Sequence, residues 1–148
     1  MPAGYHAVTP HLVARDAAAA LAFYVRAFGA VERYRLVEPS GKVGHAEFTI
    51  GDAVVMIADE YPDFGALSPS AFGGSPIKLL LYVDDCDAVV RAAVDAGATL
   101  LRPVKDQFHG DRSGMVVDPA GFTWTIATRK EDVSPDEMQR RFTAALAG

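Results

Sequence analysis

Apolar residues recur at helical spacing in two places along the chain, at Ala20, Leu21, Tyr24 and Phe28, and again at Ala88, Val89, Ala92 and Ala96. That spacing gives each helix one apolar face. Asp16 stands before the first run and Asp84 or Asp85 before the second, where a carboxylate can accept the free backbone N–H groups of a helix start. Gly29 and Gly97 stand at the far ends, where a left-handed residue stops a helix. An extended apolar stretch precedes each helix, and three more follow it. In the first half these are 31–37, 44–50 and 53–58, separated by a Pro39-Ser-Gly-Lys42 turn and a Gly51-Asp52 turn. In the second they are 99–104, 113–117 and 122–127, separated by a loop and by Asp118-Pro-Ala-Gly121. Each half therefore reads βαβββ.

The two halves are similar in sequence as well as in pattern. Gly51-Asp-Ala-Val-Val-Met-Ile-Ala58 superposes on Ala120-Gly-Phe-Thr-Trp-Thr-Ile-Ala127, so the duplication extends into the hairpins. The prediction is an α+β fold: two modules, at about 5–60 and 76–130, within one domain spanning 1–148. The Gly/Pro-rich stretch 61–76 links them and offers no helix, which excludes a ferredoxin-like arrangement. Ser134-Pro-Asp-Glu137 is a capping sequence with proline at the first helical position, opening a terminal helix to Ala147.

Composition narrows the function classes. The 148 residues carry 19 acidic and 14 basic side chains, a net charge of -5 without a basic stripe, so nucleic acid is not an expected partner. No apolar run is long enough to cross a bilayer, and the N-terminus lacks a charged and apolar leader, so a cytoplasmic protein is expected. The single cysteine, Cys86, excludes an internal disulfide and any multi-cysteine metal site. Its neighbours Asp84, Asp85 and Asp87 oppose a thiolate, so it reads as a helix-start residue. Nucleophile elbows, phosphate-cradling loops and dinucleotide fingerprints are absent.

Several ordered motifs carry a family resemblance: Thr9-Pro-His-Leu-Val-Ala-Arg-Asp16, Ala20-Leu-Ala-Phe-Tyr24, Phe28-Gly-Ala30, Gly44-His-Ala-Glu47, Gly110-Asp-Arg-Ser-Gly114, Asp118-Pro-Ala-Gly121 with Trp124, and Glu131-Asp-Val-Ser-Pro135. With the paired modules, they make the chain resemble the vicinal oxygen chelate (glyoxalase/bleomycin resistance protein/dioxygenase) superfamily, and its PhnB-like branch in particular. The resemblance implies a U-shaped mixed sheet enclosing a cavity, where a divalent metal holds a substrate through adjacent oxygens. In metal-bearing members the ligands lie on the first and last strands of each module. Carried onto this sequence, those positions are Thr9, Met56, Lys78 and Thr125, and shifting the first-strand pair by one gives Val8, Pro10 and Ile77. None is a good ligand, and a lysine there would repel a cation. The usual metal site is expected to be missing, with no cofactor in its place.

Strand parity extends the cavity lining, because alternate side chains share a face. His11 and Val13 accompany Thr9, and Leu80 and Tyr82 accompany Lys78. Val54 and Ala58 accompany Met56, and Ala46, Phe48 and Ile50 read as the buried face of the hairpin, leaving His45, Glu47 and Thr49 for the cavity. His11, His45 and Glu47 are the right residue types for a relocated three-ligand metal site, or for acid–base groups if their surroundings shift their pKa values. Glu47 could equally serve as an ion-pair partner of Lys78 or Arg112. In the segment 104–114, Arg112 is a candidate clamp for a ligand carboxylate or phosphate, with Phe108 stacking on an apolar part. The alternative is an Asp111–Arg112 pair that shapes the loop. Trp124 takes the opposite parity to Thr125 and reads as core.

The leading expectation is a small-molecule binding protein without the usual divalent metal, using Thr9, His11, His45, Glu47, Met56, Lys78, Tyr82, Phe108, Arg112 and Thr125. The alternative is a metal-dependent lyase, isomerase or dioxygenase with its site at His11, His45 and Glu47. A third reading is a metal-free enzyme with Glu47 or a histidine as base. A homodimer is expected from the resemblance, and Met138, Phe142 and Leu146 give the terminal helix an apolar stripe that docks either on its own chain or on a partner.

Overall fold

The computed structural model describes residues 1–148. The first module consists of β1 (His11–Ala14), α1 (Ala17–Phe28), β2 (Val31–Val37), β3 (Val43–Ile50) and β4 (Ala53–Asp59). The second consists of β5 (Lys78–Tyr82), α2 (Cys86–Asp95), β6 (Thr99–Asp106), β7 (Asp111–Val117) and β8 (Thr123–Arg129), and α3 (Pro135–Ala147) closes the chain. The linker holds two short 3-10 turns, Pro62–Phe64 and Pro69–Phe72. The paired βαβββ modules and the terminal helix are thus present as the sequence predicts.

Local chemistry sets the helix ends. The Asp16 carboxylate accepts the Ala19 N–H at 3.0 Å, and Gly29 ends α1 with φ of 67°. Asp85, rather than Asp84, plays the same part for α2, accepting the Ala88 N–H at 3.1 Å. Ser134 caps α3 through the Glu137 N–H. The buried Asp59 carboxylate ties the first module together by accepting from Ala17 at the start of α1 and from Val43 at the start of β3, both at 2.7 Å.

Hydrogen bonding divides the strands into two four-stranded mixed sheets, in the orders β1-β4-β3-β2 and β5-β8-β7-β6. In each, the first strand runs parallel to the last and the remaining pairs are antiparallel. Both sheets turn one face to a single shared core. Leu12, Ala46, Phe48 and Ile57 from the first sheet meet Val116, Trp124 and Ile126 from the second, with α1 and α2 between them. Trp124 is core, as its parity predicts, lying against Tyr24 and Phe28 of α1 with ring centroids 5.6 and 4.9 Å away. The buried Asp118 carboxylate fastens the modules, accepting from Tyr24 Oη at 2.6 Å and Trp124 Nε1 at 2.8 Å. Burial pushes the Asp118 carboxyl up, and its hydrogen-bond donors oppose that shift.

Because the helix sides of both sheets meet in the core, the opposite faces point outward and stand open. Leu36 of β2 remains 59% exposed and Leu80 of β5 52%. Two boundaries differ from the sequence reading. Thr9 lies just before β1, its hydroxyl donating to the His6 carbonyl at 3.3 Å. The segment read as a loop at 104–114 is mostly hairpin, since β6 continues to Asp106 and β7 begins at Asp111. Its polar side chains hid a ladder that pairs Lys105 with Ser113 and Asp106 with Arg112.

Candidate functional site

On the outward face of the first sheet, β3 and β4 place Glu47 opposite Met56, and β1 and β4 place His11 opposite the same residue. His45 lies two residues from Glu47 on the same face, so His11, His45, Glu47 and Met56 come together as parity predicts. The His45 Nε2 and Glu47 Oε2 atoms are 3.1 Å apart, and the His11 and His45 rings meet edge-on at 5.8 Å. Tyr34 completes the group by donating its hydroxyl to the same Glu47 oxygen.

Glu47 is only 3% exposed, and its second oxygen, Oε1, has no hydrogen-bond partner. The Arg33 guanidinium stands 3.9 Å from Oε1, near enough to offset charge and too far to donate. A buried acceptor left open costs about 1–3 kcal/mol until a donor reaches it. Loss of water around the His11 ring, followed by the neighbouring His45, holds the His11 pKa below its ordinary value of 6.5.

The partners proposed for Glu47 from sequence, Lys78 and Arg112, are not its partners. Lys78 lies on the other sheet, exposed and paired in register with Thr123. Arg112 lies on the helix side of its sheet: its guanidinium donates to Asp87 of α2 at 2.8 and 3.0 Å and to Asp106 at 3.2 Å. These carboxylates hold Arg112 firmly protonated and occupy the fork that a ligand would need. The Asp111–Arg112 pair is also not formed, because adjacent strand residues point to opposite faces. Asp111 instead accepts from Tyr82 Oη at 2.9 Å and pairs with Arg129 Nε at 3.1 Å. Phe108 sits at the hairpin tip against Phe142 of α3, 5.6 Å between centroids, with its other ring neighbour His109 at 5.3 Å.

The outward face of the second sheet carries Lys78, Leu80, Tyr82, Thr125, Ser113 and Met115. A cleft of about 340 Å³ opens there, with Thr125 in its wall. Sequence reasoning missed Tyr34 and Arg33 beside Glu47, and Arg102 and Lys105 beside this cleft. In both cases a register shift breaks the strand alternation, between Glu32 and Tyr34 on β2 and around Arg102 on β6.

The residues at the superfamily's ligand positions do not suit a divalent cation. Thr9, Met56, Lys78 and Thr125 offer two hydroxyls, a thioether and an ammonium. The His11, His45 and Glu47 trio is closer in chemistry, but nowhere do three or more His, Cys, Asp or Glu side chains gather at metal-holding distance. Glu47 spends Oε2 on Tyr34 and His45, and Arg33 sets a positive charge beside Oε1.

The sequence profile of the Glyoxalase/Bleomycin resistance protein/Dioxygenase superfamily matches residues 5–126. The chain belongs to this superfamily. An uncharacterised protein of Mycobacterium bovis is 42% identical over 136 residues, covering 90% of each chain. The X-ray structure of an Arabidopsis thaliana gene product is 28% identical, with a TM-score of 0.67 over 83% of this chain and 98% of that one. TioX from Micromonospora sp. ML1 shares the superfamily fold at 24% identity, with a TM-score of 0.64 over 82% of this chain and 97% of that one. No helix is long and apolar enough to cross a membrane.

Proposed function

We propose that this superfamily member, of the PhnB-like branch, is a cytoplasmic small-molecule binding protein that works without the usual divalent metal. The observation that carries the reading is Glu47, a buried carboxylate on the outward sheet face with one oxygen lacking a hydrogen-bond donor. Such an acceptor, set among Met56, Tyr34 and two imidazoles, suits a partly apolar ligand that brings an N–H or O–H group. Thr9, Lys78 and Thr125 then contribute polar contacts, and Met56 and Tyr82 apolar ones. Phe108 and Arg112 leave the proposed set because of their α3 and α2 contacts.

The binding cavity forms when two copies associate. Within one chain each outward face is half of a cleft, with Leu36 and Tyr34 exposed on the first sheet and Leu80 and Tyr82 on the second. Pairing the first sheet of one copy with the second sheet of another would cover these residues and set Glu47 of one copy across from Lys78 of the other. Sedimentation at micromolar concentration tests this. The expected mass is twice the 15.8 kDa of one chain, and Leu36→Glu with Leu80→Glu shifts it to one chain. A wild-type monomer would overturn the pairing.

Thermal melting against a panel of aromatic and peptidic metabolites tests the binding itself. At least one compound should raise the melting temperature, and Glu47→Gln should reduce that shift. A panel without any shift would remove the support for this reading. The second reading, a metal-dependent lyase, isomerase or dioxygenase, draws on the closeness of His11, His45 and Glu47. It requires Arg33 and Tyr34 to give up Glu47.

A further inference from the structure

The cleft on the second sheet has a composition that the small-molecule reading does not by itself predict. Its polar wall includes Arg102, Lys105, Gln107, His109, Ser113 and Thr125, and no carboxylate. Arg102 and Lys105 make no salt bridge. The nearest acids carry other contacts: Asp106 pairs with Arg112, and Asp111, 3.8 Å from His109, accepts from Tyr82 and pairs with Arg129, while its Oδ1 lacks a hydrogen-bond donor. Two free cations and two hydroxyls thus line one concave space of about 340 Å³, while the Gln107 side-chain amide donates to the Lys105 and Ser113 carbonyls.

Backbone irregularity brings the two cations together. Arg102 and Lys105 are three residues apart, a spacing that points side chains to opposite faces of a regular strand. On β6, however, the register shifts on either side of Arg102, so that Arg102 stands opposite Met115 and Lys105 opposite Ser113. Met115 and Ser113 are two residues apart and share a face. The bulged strand is held by Val104, which tucks over Gly114. A Cβ at Gly114 would lie 2.8 Å from Val104 Cγ2 and 3.2 Å from the Arg102 carbonyl oxygen. Bulges re-aim side chains at a local cost, and here both re-aimed side chains are cationic and turned to the cleft.

We propose that this cleft is an oxyanion subsite, in which Arg102 and Lys105 hold a carboxylate or phosphate group of the bound small molecule, assisted by the hydroxyls of Ser113 and Thr125. The proposal rests on the small-molecule reading and its pairing of two copies, and names the class of ligand: a molecule with an anionic end for the second sheet of one copy and a donor-bearing portion for Glu47 on the first sheet of the other. An Arg fork suits a planar carboxylate or a phosphate face, and Lys105 adds a second charge.

The test is a titration of isotopically labelled protein with inorganic phosphate, and in parallel with malonate, at constant ionic strength. Saturable amide shifts are expected at Gln107, Ser113 and Thr125. The Arg102→Gln/Lys105→Gln variant should bind roughly tenfold more weakly with an unchanged melting temperature. The variant Arg26→Gln/Arg91→Gln, with the same charge change on exposed helix surfaces, should bind like wild type. The preferred anion separates a phosphate from a carboxylate ligand. Shifts that do not saturate, or an equal loss in both variants, would show general charge attraction and overturn the proposal. Failure of the two readings is distinguishable. Panel compounds that stabilise the protein equally with and without Arg102 and Lys105 leave the binding reading intact and overturn the subsite. Saturable phosphate binding with a silent panel supports the subsite and contradicts the wider reading.

Discussion

Glu47 shows how one strand position gathers chemistry from three strands. It accepts from Tyr34 on β2, lies 3.1 Å from His45 on β3, and faces Met56 on β4. Alternation along β3 was enough to put His45 and Glu47 on the cavity side, because Ala46, Phe48 and Ile50 are plainly apolar. Tyr34 escaped the same logic, since the register shift after Glu32 reverses the parity of β2. Arg112 escaped for another reason: β7 runs Met115, Val116, Val117, with apolar side chains on both faces and no alternation to read. His11 offers a titration check on the site. Its folded pKa is lowered, so whatever stability its neutral ring contributes is present above about 6.5 and is lost as pH falls through the folded value. Proton NMR should find His11 titrating below an ordinary histidine. In His45→Gln its pKa should rise part of the way and stop short of ordinary, because loss of water is the larger cause. An unchanged His11 pKa in that variant would contradict the contact between the rings.

Strands and helices were legible where caps and periodicity agreed. Asp16, Gly29 and Ser134 mark helix ends in sequence and in structure alike. The hairpin of β6 and β7 was legible only in part, because Pro103, Asp106, Gln107, His109 and Gly110 resemble a loop while the backbone still pairs up to Asp106 and from Asp111. Gly114 is the element's fixed point. Gly114→Ala places a methyl group within 2.8 Å of Val104 and against backbone atoms that cannot rotate away. The expected cost is about 1–3 kcal/mol, read from the denaturation midpoint. Ala substitution at neighbouring Ser113 on the other face should cost less. Equal effects at the two positions would mean that Val104 does not clamp the bulge. The terminal helix is held at its edge, by Phe142 on Phe108 and by Arg141 paired with Glu131 and donating to the Phe108 carbonyl, and it has no buried residue. Its apolar stripe therefore remains largely uncovered in one chain, with Leu146 exposed.

The molecule as a whole is two sheets back to back, with α1, α2 and the Tyr24–Asp118–Trp124 contact between them. Duplication predicted the two modules, but periodicity within a module carries no information about which face the other module covers. The openness of both outward faces was therefore outside what the sequence could express. It is also what gives the account its shape: an acceptor-rich half-site around Glu47, a cationic half-site around Arg102 and Lys105, and superfamily ligand positions filled by Thr9, Met56, Lys78 and Thr125. The most direct test is a calorimetric titration of the best stabilising panel compound into protein purified without a histidine tag, before and after exhaustive chelation, with elemental analysis of both samples. The affinity should be the same in both samples, with no stoichiometric divalent metal in either. Binding that disappears on chelation and returns with a divalent cation would contradict metal-free binding, and would point to the His11, His45 and Glu47 group as a metal site.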